Sequence, residues 1–206
     1  MKNLLLLLAI SAALAPTSHA SIVYSGIQNI AIPLDFNGVY FRIDTGTSTL
    51  LAPGDFNTAP WMNPFFGGVE IINGNLLRPV VTGVDQIVNL AAGTPINGAS
   101  NFVATTSYSA AHFGAAANQF HLNTPGYMGA TFRENVGGPD FYGWVQMEMS
   151  NAGAGKIISW AFENVSGGSI QAGQTTSGPP VPEPGTAVFG LALILAGLGR
   201  RARVRR

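Results

Sequence analysis

From Phe141 to Met149 the chain reads FYGWVQMEM, with Phe141, Gly143, Val145, Met147 and Met149 on one face and Tyr142, Trp144, Gln146 and Glu148 on the other. A period of two is that of a β-strand, whose successive side chains point to opposite faces of a sheet. The turn-rich stretch Ser150-Asn151-Ala152-Gly153-Ala154-Gly155 follows, and then a second strand pattern from Ile157 to Glu163, so the pair predicts a β-hairpin with a longer loop. Shorter strand patterns cover Asn29–Ile32, Val39–Ile43, Val69–Ile72, Leu76–Val81, Gln86–Leu90, Asn101–Thr106 and Tyr127–Arg133. Clusters of Gly, Pro and Asn separate them at intervals suited to a meander or sandwich. Between the two ends of the chain no helical period lasts beyond about two turns, against a mean helix of ~11 residues. Ala110 to Phe120 is the one ambiguous stretch. The pattern therefore predicts an all-β body, an antiparallel β-sandwich-like domain over 21–173, long enough to bury roughly 70% of its unfolded surface.

The two ends depart from this pattern. At the start, Lys2 precedes a twelve-residue apolar run from Leu4 to Ala15, and Ser18-His19-Ala20 supplies small residues at the spacing a leader peptidase accepts. Twelve residues fall short of the ~20 needed to span a bilayer, so 1–20 reads as a cleaved signal peptide, with scission between Ala20 and Ser21. At the other end, Gln174 to Pro184 is QTTSGPPVPEP, polar and proline-rich, and unsuited to a helix or sheet interior. Residues 174–180 read as a linker and 181–206 as a separate terminal segment. Within that segment Thr186 to Leu198 is uncharged and almost wholly apolar; as a helix it covers roughly 20 Å of a ~30 Å hydrocarbon core. Arg200, Arg201, Arg203, Arg205 and Arg206 close the chain. Snorkelling arginines and local bilayer thinning can make up the missing length, which predicts a single short transmembrane helix with its basic end on the cytoplasmic side.

Charge sharpens this division. The formal net charge is zero, but residues 21–183 hold Arg42, Arg78, Arg133 and Lys156 against ten acids, a net of −6, while 184–206 carry +5. An acidic body lacks the clustered cations that displace counterions from phosphate, so no nucleic-acid partner is expected. With 47% hydrophobic and 10% charged residues the chain is not a self-repelling disordered polymer. The absence of cysteine removes a disulfide framework, thiolate zinc sites and a cysteine nucleophile.

Val181-Pro182-Glu183-Pro184, a short apolar helix and terminal arginines, in that order, resemble the PEP-CTERM sorting signal of Gram-negative bacteria. The resemblance covers Val181 to Arg206. It implies recognition by an exosortase-type membrane enzyme that processes the tail at or near the Pro-Glu-Pro motif after transient residence in the inner membrane. Delivery to the cell surface or to an extracellular polysaccharide matrix, as in biofilms, would follow, with that polysaccharide as a further partner. The same terminal segment also carries the label "ice-binding protein C-terminal domain", which follows the tail and does not make the body bind ice. The body in turn resembles passenger domains borne by such tails. YMGATFR at 127–133, FYGWVQ at 141–146, WAFE at 160–163 and IQAG at 170–173 follow their recurring pattern, in which Tyr142, Gly143 and Trp144 look structural.

Candidate chemistry in the body is sparse. Phe41-Arg42-Ile43-Asp44-Thr45-Gly46-Thr47-Ser48 resembles the active-site turn of aspartic peptidases, where one aspartate shares a proton with a second. No second D-T-G or D-S-G occurs, and Arg42 puts a charge where an apolar strand is expected; a strand ending in a polar turn is the leading reading. Leu34-Asp35-Phe36-Asn37-Gly38 lacks the further carboxylates of a calcium loop, and His112 and His121 stand nine apart, outside zinc-site spacings, so neither metal nor cofactor is expected. Trp61, Trp144, Trp160 and Tyr142 would suit either sandwich core or a sugar-stacking platform. Thr45, Thr47 and Thr49 alternate as on ice-binding faces, but without the repeats of a flat array. The sequence thus predicts a non-enzymatic exported protein. A carbohydrate- or matrix-binding module is the alternative, and an aspartic peptidase using Asp44 a lesser one.

Overall fold

The alternating stretch at 141–149 becomes the central strand of a seven-stranded antiparallel sheet, with the predicted hairpin partner beside it. The computed structural model describes residues 21–33, 35–65, 68–72, 76–82, 86–103, 107–110, 119–149 and 155–177. Its strands are β1 (Ile22–Tyr24), β2 (Ile30–Ile32), β3 (Tyr40–Arg42), β4 (Ser48–Thr49), β5 (Trp61–Phe65), β6 (Gly68–Ile72), β7 (Leu77–Pro79) and β8 (Val81–Thr82). They continue with β9 (Gln86–Ile87), β10 (Asn89–Leu90), β11 (Pro95–Ile96), β12 (Ser107–Ala110), β13 (Gly126–Phe132), β14 (Phe141–Glu148), β15 (Gly155–Glu163) and β16 (Ile170–Gln171). The described residues contain no helix long and apolar enough to cross a membrane; the apolar run at 186–198 lies outside them.

The meander β13–β14–β15 is the frame. Each of its outer strands is bordered by two short strands instead of one long one. β1 and β2 pair with successive parts of β15, while β10 and β7 pair with successive parts of β13. The break between β1 and β2 has a local cause. The β14–β15 register shifts between Gln146 and Met147, leaving Ile158 as the extra residue, and the Ile158 carbonyl accepts the Gln28 N–H at 2.8 Å. Ser25 seals the joint: its N–H donates to the Trp160 carbonyl, and its hydroxyl accepts the Trp160 N–H at 2.9 Å. A bulge bends the strand that carries it, so an edge strand alongside cannot run straight past.

Both faces of β14 carry buried apolar side chains because both are covered. Val145 and Met147 share a buried core with Phe41, Met62, Val69 and Ile71 of a five-stranded sheet ordered β12-β6-β5-β3-β4. On the opposite face Tyr142 and Trp144 lie with Leu90, Ile96, Ile170 and Ala172, beneath the small β11–β16 pair. Gly143 lets the layers close: a Cβ there would sit 2.7 Å from the Ala161 carbonyl oxygen and 2.8 Å from Ile43 Cδ1.

The body is all-β and antiparallel, as the periodicity predicts. Leu76–Val81 and Gln86–Leu90 each divide: β7 joins the meander, β8 pairs with β9, and β10 returns to the meander. Asn101–Thr106 does not form the expected strand over its described part; Phe102 makes an isolated bridge to Val80. Most of the ambiguous stretch at 110–120 lies outside the described residues.

Candidate functional site: the junction of Ser21, Glu163 and Ser177

Ser21, the residue expected to follow the leader, begins β1's approach to the sheet edge, where Ile22 pairs with Glu163. Three hydrogen bonds converge at this corner. The Ser21 N–H points at Glu163 Oε1, 2.9 Å away, and at Asn164 Oδ1, 3.0 Å away, and the Ser21 carbonyl accepts the Asn164 N–H at 3.0 Å. Glu163 is 2% exposed. Its Oε1 also accepts the Val165 N–H at 3.0 Å. Gly168 crowds its stem, since a Cβ built there would come 2.5 Å from Glu163 Cγ. Among the described residues no Lys or Arg forms an ion pair with Glu163.

The last described residues return to the same corner. Ile22 N–H donates to Ser177 Oγ at 2.9 Å, across 155 positions of sequence. Just before it, the Trp144 indole N–H donates to the Gln174 carbonyl at 3.0 Å, and the Gln174 side chain accepts the Gln171 N–H and donates to the Thr176 carbonyl. The expected linker therefore begins on the body: Gln174 to Ser177 are held by a core tryptophan and by β1. Val181, Pro182, Glu183, Pro184, Arg200, Arg201, Arg203, Arg205, Arg206 and Ala20 lie outside the described residues.

The Asp44 turn is built as a clamp. Arg42 Nε donates to Asp44 Oδ1 at 2.9 Å, and the guanidinium also holds Oδ2. The same guanidinium lies 3.6 Å from Asp55 Oδ2 and over the ring of Trp61, whose indole N–H donates to Asp55 Oδ1. The hydrogen bond that Arg42 donates to Asp44 raises the Arg42 pKa above its ordinary value against the opposing effect of burial, with the charges of Asp44, Asp55 and Glu134 adding to the rise. A shared-proton dyad needs a second carboxyl group facing the first. What faces Asp44 is a cation. Gly46, at φ +71°, turns the chain against Trp160, whose ring would lie 2.5 Å from any Cβ there.

A second arginine pair brackets Asp140. Arg133 donates to both its oxygens, at 2.7 and 3.1 Å, and Arg78 stands 3.8 Å from Oδ1 while lying over Phe102. The Arg133 hydrogen bonds, then the charges of Arg133 and Arg78, hold the Asp140 carboxyl below the usual aspartate range, with desolvation working the other way. The sequence pattern singled out neither Asp140 nor Glu163, because both partnerships depend on strand pairing.

The remaining candidates take structural places. Trp61, Trp144, Trp160 and Tyr142 are all buried, so none offers a ring face to a sugar. Asp35 Oδ1 accepts the N–H groups of Asn37 and Gly38, an Asx turn and not a calcium loop. The threonines do not share a strand: Thr45 and Thr47 sit in the turn with their hydroxyls 3.0 Å apart, and Thr49 is on β4. His121 is half-buried and His112 lies outside the described residues. Among the described residues no group of three His, Cys, Asp or Glu is placed to hold a metal. Comparison with protein-family models, curated proteins and solved structures finds no match.

Proposed function

We propose that this chain is an exported, non-enzymatic passenger of the PEP-CTERM type. Its leader is removed before Ser21, and its tail is inserted in the inner membrane by the short apolar helix. An exosortase-type enzyme then processes it near Val181-Pro182-Glu183-Pro184 for release to the cell surface or the extracellular polysaccharide matrix. The observation that carries this reading is the ordered tail, motif then apolar run then five arginines, on a chain that opens with a leader. The Ile22–Ser177 hydrogen bond supports it, because the points where leader and tail join the body are one corner of the sandwich. A body attached there stands off the membrane by its linker, with one pole facing the processing enzyme.

The test is the intact mass of the protein recovered separately from outer membrane and extracellular matrix. A mass that starts at Ser21 and ends near Pro184, with or without added glycan, is the expected result. A mass that runs through Arg206 makes the tail a plain anchor and ends the sorting reading.

A further inference from the structure

The acceptors around Ser21 exceed what its peptide nitrogen can supply. In the uncleaved chain that nitrogen carries one hydrogen, yet Glu163 Oε1 and Asn164 Oδ1 lie 2.9 and 3.0 Å from it. One hydrogen shared between two acceptors makes two weakened bonds. Glu163 is also a buried carboxylate with no Lys or Arg partner among the described residues, an arrangement that is costly unless a positive charge stands nearby. Hydrolysis of the Ala20–Ser21 bond changes both terms. One water is consumed, the C–N bond breaks, Ala20 keeps the new carboxylate, and the freed amine takes a proton from solvent, since α-amino groups titrate near ~8. The resulting ammonium has three hydrogens and a full charge at the same position.

We infer that Glu163 is a built-in receptor for the α-ammonium group of mature Ser21, so that leader removal completes an ion pair the precursor cannot form. Asn164 takes the second hydrogen, and the Asn164 N–H to Ser21 carbonyl bond keeps the terminus on the sheet edge. Glu163 is held for this purpose by Gly168 against its stem and by the Val165 N–H on Oε1. β1, and with it the Ile22 N–H that holds Ser177, is already docked in the uncleaved chain, and the ion pair adds to that docking after processing. The inference rests on the leader reading given above and extends it from an address to a maturation step.

The experiment uses the processed protein from its host, with the N-terminal residue identified first by mass spectrometry. The α-amine is then acylated with a limiting reagent, in the folded protein and in denaturant, with Lys156 as internal reference. Folded protein is expected to react at Ser21 about tenfold more slowly than unfolded protein after correction by Lys156, and a Glu163→Gln variant to lose that protection. Acetylating Ser21 should lower the folding equilibrium constant by about tenfold to a hundredfold, the worth of a hydrogen bond to a charged group. If the protein begins at Ser21 but its amine reacts equally fast folded and unfolded, Glu163 serves only the Val165 turn and the inference falls while the leader reading stands. A mature terminus at any other residue overturns both. The comparison of folded with unfolded parent protein decides the matter even if the Glu163→Gln variant does not fold.

Discussion

Replacing Trp144 by Phe separates the two jobs of this side chain, filling the outer core and holding the chain's exit. The indole is 1% exposed and lies among Leu90, Ile96, Ile170 and Ala172, with Tyr127 edge-on at 5.4 Å. Phe keeps the six-membered ring but drops two ring carbons, and at roughly 0.8 kcal/mol per buried CH₂-sized group this costs about 1.6 kcal/mol. It also removes the hydrogen bond to the Gln174 carbonyl, worth about 1 kcal/mol net. The sum, ~2.5 kcal/mol, corresponds in a domain of this size to a Tm lower by about 5–10 °C. Thermal unfolding followed by near-ultraviolet circular dichroism reads the total. Amide hydrogen exchange reads its location, because the Ala172 and Gln174 N–H groups should lose more protection than β13–β15. A Tm within a degree of the parent, or a uniform loss of protection with 171–177 no worse than the meander, would falsify the claim that the indole pins the exit.

Three further outcomes follow from the same contacts. Gly143→Ala should cost about 1–3 kcal/mol by overpacking, since its Cβ meets the Ala161 backbone oxygen on neighbouring β15, which cannot swing aside; an unchanged denaturation midpoint would mean that β14 shifts away from β15 and Ile43 at no cost. Asp140 is held below its ordinary pKa by Arg133 and Arg78, so its stabilisation is complete above the unfolded aspartate value of about 4 and is lost as pH falls through the lower folded value. Asp140→Asn should therefore flatten the acid limb of the stability curve, and an acid limb identical in both proteins would remove Asp140 from that role. Asp44→Asn breaks a charge-assisted pair with Arg42 and should lower stability by about 1.5–3 kcal/mol, while casein incubated in acid stays intact with parent and variant alike. Casein cleavage by the parent that the variant lacks would revive the peptidase reading.

The hairpin of β14 and β15 was legible because its alternation is unbroken over nine residues and a glycine-rich turn follows it. The edges were not, since Leu76–Val81 is apolar except for Arg78 and has no alternation to show that Pro79 ends one pairing and Val81 starts another. β5 was hidden for a related reason: WMNPF does not alternate and contains Pro64, which argues against an interior strand. The fold tolerates that proline because its carbonyl still accepts the Val39 N–H at 3.0 Å. The tryptophans show the limit on the side of function, as composition cannot tell a ring in the core from a ring on display. Glu163 was visible as the end of a strand, but its partner lies 142 residues earlier, a distance only the β1–β15 pairing closes.

The small β11–β16 pair gives the body a direction of mechanical weakness. It joins only Pro95 with Gln171 and Ile96 with Ile170, and the residues that follow it lead to Ser177 at the exit. A pull on the chain beyond Ser177 would load the Ile22–Ser177 and Trp144–Gln174 hydrogen bonds first and then this pair, one bond after another, as a zipper opens. The meander, whose strands bond along their whole length, would bear tension only after that slack had been drawn out. Such a pull would then be absorbed by a short stretch that can peel off and re-dock, while the sheets behind it keep their shape.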